Sequence, residues 1–178
     1  MNQHPEYTYV GSARTLADGS FITSPQKQLA ISWFNRRMLN ISNGFSRDWA
    51  TNRTSWIEIN PEIHVEFLTF GYGHTAFAQG WVKSDTPGVT IDTAIGINGC
   101  GNIPDGVAHS YVPTANTPVA FNLSASFGLL EVDSDTNYQG YYFLTLCGRT
   151  SSGTATWGGG TTAGEGGGRT TINAMIEG

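Results

Sequence analysis

Charge is scarce in this chain, and cysteine scarcer still. Asp, Glu, Lys and Arg together make up 13% of the 178 residues, with nine basic side chains against fourteen acidic ones, a net charge of −5. That balance leaves no basic stripe for a phosphate backbone, so a nucleic-acid partner is not expected. The two cysteines, Cys100 and Cys147, are too few for a disulfide framework. Free cysteine behaves as a small core residue, and two buried thiols are the expectation. No run of 18 apolar residues occurs, which excludes a spanning helix. Residues Met1 to Glu6 carry neither a basic region nor an apolar stretch, so no signal peptide is expected.

Catalytic signatures are missing as well. The chain has no Gly-x-Ser-x-Gly elbow, no His-Glu-x-x-His, no Cys-x-x-Cys and no Gly-Lys-Ser/Thr phosphate loop. The expectation is a non-enzymatic protein with no catalytic residues, no metal and no cofactor. The glycine tract from Gly158 to Gly168 lacks a lysine and a following helix, and reads as a hairpin loop. Asp133, Asp135 and Asn137 alternate like the start of a calcium loop. Tyr138 and Leu144 then stand where glycine and a bidentate glutamate belong, so a polar turn is expected.

What the chain does have is aromatic and β-branched material between turn residues. Hydrophobic residues reach 39%, with five Trp, nine Phe and seven Tyr, enough for a real core; 23 Gly mark frequent turns. Low charge with abundant Gly, Thr, Ser and Asn suits short strands better than helices. In Glu62 to Thr69, Ile63, Val65 and Phe67 alternate with Glu62, His64 and Glu66, the period of a half-buried strand. Val89, Ile91, Thr93, Ile95 and Ile97 share one face of the next clear strand, and Asn98-Gly99 is turn chemistry. Further strands fall at 7–10, 20–23, 76–83, 110–112, 118–123 and 128–132. The stretch 28–34 reads as strand, with a short helix as the alternative.

Tyr141 to Cys147 is apolar on both alternating sets, so both faces of that strand need cover. The final run, ending at Gly178, reads as the closing strand of the same domain. Eight to eleven short strands imply one domain over residues 1–178: an all-β antiparallel sandwich with jelly-roll, TNF-like topology.

Flat rings beside polar groups suit sugars, whose apolar faces stack while their hydroxyls form hydrogen bonds. Trp49, Trp56, Tyr72, His74 and Trp157 lie in or near turn-rich segments and are candidate ligand-binding residues, with Arg47 and Arg53 available for an acidic sugar. Glu62, His64 and Glu66 could in principle do acid–base work, though such a row is more often a solvated face. The Asn-x-Ser/Thr sequons at Asn40, Asn52 and Asn122 are expected by chance in so Asn-, Ser- and Thr-rich a chain.

Two stretches carry a family resemblance. Tyr9 to Thr15 with Asp18 to Phe21, and at the other end Gly140 to Thr150, Gly153 to Trp157 and Thr171 to Gly178, resemble blocks of tailed-bacteriophage fibre and spike head domains. The likeness covers about a third of the chain, at its ends. It implies a jelly-roll head that forms a homotrimer on the virion surface, an extracellular particle, and attaches to a host-cell glycan or receptor. Decoration of a capsid or a tail, with another virion protein as partner, is the alternative. Trimerisation would bury the second face of the strand at 141–147, and Tyr142, Leu144 and Leu146 are the candidate interface.

Overall fold

In the computed structural model, which describes residues 11–13, 23–24, 27–28, 30–32, 38–61, 63–69, 74–103, 106–127, 140–159 and 168–177, every regular element is a strand. The strands are β1 (Gly11–Ala13), β2 (Thr23–Ser24), β3 (Lys27–Gln28), β4 (Ala30–Ser32), β5 (Met38–Gly44), β6 (Trp49–Thr51), β7 (Ile57–Glu58), β8 (Val65–Thr69), β9 (His74–Ser84), β10 (Val89–Ile97), β11 (Val107–Val112), β12 (Val119–Phe127), β13 (Gly140–Thr150), β14 (Ala155–Trp157) and β15 (Thr171–Glu177).

Four antiparallel pairs are nested along the sequence: β5 with β15, β8 with β13, β9 with β12, and β10 with β11. Alternate pairs join sideways. β15 against β9 gives one sheet in the order β5–β15–β9–β12, and β13 against β10 gives the other, β8–β13–β10–β11. Nested pairs that alternate between two facing sheets make a jelly roll. β14 continues the line of β15 along β9, and β6 flanks β14 as β5 flanks β15. One pairing is parallel, β3 on β8.

Period-two alternation decides which side chains meet between the sheets. Val65 and Phe67, Ile91, Ile95 and Ile97, Leu144 and Leu146 come from one sheet; Ile41, Ile172, Ile176, Leu123 and Phe127 come from the other. Trp157 links the two layers. Its indole N–H donates to Thr93 Oγ1 at 2.9 Å, and its ring lies where a Cβ on Gly148 would collide with it.

The inward sets expected at 63–67 and 89–97 are the ones observed, and the described residues 27–28 and 30–32 are strand rather than helix. The expected strands at 7–10 and 128–132, most of that at 20–23, the polar turn at Asp133 to Asn137, Glu62, and most of the glycine tract lie outside the described residues.

Three expectations are corrected. Leu144 and Leu146 are 0% and 2% exposed in the single chain and, with half-buried Tyr142, point into its own core, so they are not a subunit interface. With both sets apolar, the sequence could not say which one faced inward. The outer set is Tyr141, Phe143, Thr145 and Cys147, and this protomer covers it. His64 stacks on Phe143 at 4.3 Å, Tyr141 donates to Glu66 at 2.9 Å, and the turn after Asn98 lies on Cys147.

The second correction is at that turn. Cys100 and Cys147 form a disulfide, and no described cysteine is free. Asn98 and Gly99 both take positive φ, 54° and 112°, and turn the chain back over β10, where a Cβ on Gly96 would strike the Gly99 carbonyl and Cys147 Sγ. Closing 47 residues contributes about 4 kcal/mol by loop entropy. It also ties the chain to an oxidising setting.

His74, expected at the surface, is 2% exposed between Phe67 and Phe127, with ring centroids at 5.7 Å from each. Burial lowers its pKa from 6.5 to about 4. Below pH 6.5 the unfolded chain therefore binds a proton that the folded chain refuses, and stability falls as the pH drops, levelling out near 4. Urea unfolding should show a loss on the order of 3 kcal/mol across that window. His74→Phe should remove that part of the slope.

Candidate functional site

The outward positions of β10 are Thr90, Asp92, Ala94 and Gly96. Register places His109 of β11 and Arg149 of β13 directly across from Asp92, one on each side. Both bond it: His109 Nδ1 lies 2.7 Å from Oδ1, and Arg149 Nε donates to Oδ2 at 2.8 Å. Opposite-charge neighbours across strands stabilise a sheet face modestly. Here they also satisfy a carboxylate whose side chain is only 13% exposed, which would be costly unpaired.

Arg149 carries the row one strand further. Residues 53–58 run along the end of β13, because Arg53 O accepts from Thr150 N at 2.9 Å and Ile57 pairs with Gly148. That course sets the half-buried Trp56 ring under the Arg149 guanidinium, 4.6 Å from its centroid. Trp56, Arg149, Asp92 and His109 thus form a line across about 14 Å of sheet, three strand spacings. Tyr111, two residues beyond His109 on the same face, is 60% exposed. The turn held by the Cys100–Cys147 disulfide borders the line on the Cys147 side.

In this arrangement Asp92 is an orienting group. Both oxygens are engaged, while His109 is 66% exposed and Arg149 41%. A neutral His109 that donates from Nδ1 leaves Nε2 as a fixed acceptor toward solvent. Among the described residues no hydroxyl or thiol is hydrogen-bonded to His109, and no three His, Cys, Asp or Glu side chains converge as a metal site. The row supplies an aromatic ring, a positioned guanidinium and an imidazole within bonding distance of a carboxylate.

Of the residues expected from sequence to bind a ligand, Trp56 belongs to this row, and exposed Arg53 lies beside it on the 53–58 segment. Trp49 is elsewhere, half-buried against the core with Arg47 4.7 Å from its ring centroid. Trp157 and His74 are buried and present no face to a ligand, a correction that follows from their inward parity on β14 and β9. Tyr72 lies outside the described residues. His64 and Glu66 lie on the outward set as expected, where Glu66 bonds Tyr141 and His64 sits 3.5 Å from Glu58. Asp92, His109, Arg149 and Tyr111 were missed. A lone carboxylate on the outward set of an apolar strand was the available signal, but its partners depend on strand register.

The outer face of the second sheet differs. Met38, Asn40, Ser42, Thr171, Asn173, Met175, Thr75, Phe77, Gln79, Asn122, Ser124 and Ser126 face outward there, and Lys83 follows them on β9, over the Trp81 ring. Met38, Met175 and Phe77, 54%, 39% and 41% exposed, are diagonal neighbours across it.

The sequence matches no family model and no curated protein. Among solved structures, the chain is similar to infectious bursal disease virus derived T=1 particles, with 10% identity and TM-score 0.46, over 99% of this chain and 40% of that one. It is similar also to Eiger TNF from S. frugiperda, at 10% identity and TM-score 0.42, over 79% of this chain and 92% of that one. The xylan-binding module CBM15 shares 15% identity at TM-score 0.30, over 80% and 97%. The chain spans 40% of the length of the viral proteins that it matches in these structures. At these scores the fold rests on the strand order, not on the likenesses.

Heteronuclear NMR of the histidine rings should find neutral His109 as the Nδ1–H tautomer. Asp92→Asn should abolish that preference without unfolding the sheet.

Proposed function

We propose that this chain is a non-enzymatic module of a virion surface that attaches the particle to host cells by binding carbohydrate through Trp56, Arg149, His109 and Tyr111. The observation that carries the reading is the row itself. His109, Arg149 and Tyr111 reach solvent beside the half-buried Trp56 ring, and the central guanidinium and imidazole are held in place by a buried carboxylate. A sugar offers what such a row takes, an apolar C–H face for the indole and hydroxyls for the directed donors and acceptors. Pre-ordered side chains lose little entropy on binding, which favours weak, repeated contacts. The resemblance of both chain ends to fibre and spike heads supports placing the module on a tailed phage, and the disulfide suits an extracellular particle.

The exposed apolar diagonal of Met38, Met175 and Phe77 on the outer face of the second sheet favours a further contact. Copies in a homotrimer, or a neighbouring virion protein, are proposed to pack there rather than on Tyr142, Leu144 and Leu146. Several copies on one particle would multiply weak sugar binding.

Binding of the recombinant chain to arrayed glycans, followed by titration of the best ligand, tests the reading. Trp56→Ala should weaken binding by about tenfold, the 1.4 kcal/mol expected for one lost ring contact, and Tyr111→Ala by less. Unchanged affinity in Trp56→Ala would remove this face from consideration as the sugar site, and no binding to any glycan would favour a purely structural role.

A further inference from the structure

We infer that the ligand of this face is an acidic sugar whose carboxylate is read by Arg149. This deepens the carbohydrate reading above and rests on it. Arg149 is committed on one edge only: its Nε bonds Asp92 Oδ2, and its Cζ lies 4.6 Å from the Trp56 ring centroid. No other partner is recorded among the described residues, so the terminal pair of nitrogens keeps its parallel N–H donors. That fork matches a carboxylate in bidentate fashion, which an ammonium cannot do.

Two restraints make the fork a fixed site instead of a loose surface arginine. The bond to Asp92 holds the side chain along the sheet, and the indole lies against the guanidinium. With 41% of the side chain exposed, the free edge reaches solvent. Asp92 does not compete for the role of anion, because both its oxygens are engaged and it is largely buried. Of the two arginines expected from sequence to meet an acidic sugar, Arg47 lies over Trp49 away from this row, and exposed Arg53 lies beside it. Trp56 would then serve twice, as the support of the guanidinium and as a wall beside the sugar ring. His109 and Tyr111, further along the face, would meet hydroxyls of the same ring or the next one.

The test compares uronic-acid and sialic-acid oligosaccharides with their methyl esters and with uncharged and sulfated oligosaccharides of similar length, by calorimetry on the intact chain. Free carboxylates should bind at least about tenfold more tightly than the matching esters, the scale of a bidentate charge-assisted pair. Arg149→Lys, which keeps the charge and loses the fork, should erase most of that ratio. Its thermal melting and the His109 ring signals, compared with the parent, show whether the fold and the Asp92 pair survive. Equal binding of acid and ester, or preference for sulfated over carboxylated sugars, would overturn the carboxylate assignment while leaving carbohydrate binding intact. An undiminished acid-to-ester ratio in a folded Arg149→Lys chain would overturn it too. No binding to any glycan would overturn both readings.

Discussion

Strand β13 must be covered on two faces, and the way the chain does so determines what remains available for function. Its inward set, Tyr142, Leu144 and Leu146, completes the sandwich core. Its outward set is sealed locally: His64 over Phe143, Glu66 bonded to Tyr141, and the Asn98-Gly99 turn tied to Cys147. The cover ends at Cys147. Arg149, the next outward residue, emerges where, among the described residues, Trp56 and Asp92 accompany it. The proposed binding row lies at the open end of an otherwise roofed strand.

Asp92 gives that open end its order. A carboxylate this far from water is tolerated because two partners approach it from opposite strands, and the same two bonds fix a guanidinium and an imidazole. Sheet register, not loop conformation, sets the spacing, so the row inherits the rigidity of the jelly roll. The outer surface of the other sheet follows a different chemistry, with amide and hydroxyl side chains around an apolar diagonal. One face thus suits a specific polar ligand, and the other suits a broad protein contact.

Much of the fold was legible in the residues because alternation reports burial directly. Ile63, Val65 and Phe67 and the set Val89 to Ile97 were placed inward correctly, and the count of short strands pointed to a jelly roll. Alternation failed where both sets were apolar, at Tyr141 to Cys147, since composition cannot rank two greasy faces. It was silent on pairing. Cys100 and Cys147 are 47 residues apart and meet only because a positive-φ turn folds back over a glycine on β10. The site suffered most from this. Trp56 was visible as an aromatic among polar residues, and Trp157 looked the same but turned inward. Asp92, His109 and Arg149 lie 17 and 57 residues apart, and only the register of three strands brings them together.

The most direct test of this account is to map the bound ligand on the protein by NMR, following backbone amides together with the indole and guanidinium N–H signals. The account predicts that saturating glycan shifts the Trp56 indole, the Arg149 side chain and the amides around Asp92, His109 and Tyr111. Shifts confined to Phe77, Asn173, Met175 and Ser124 on the opposite sheet would contradict it.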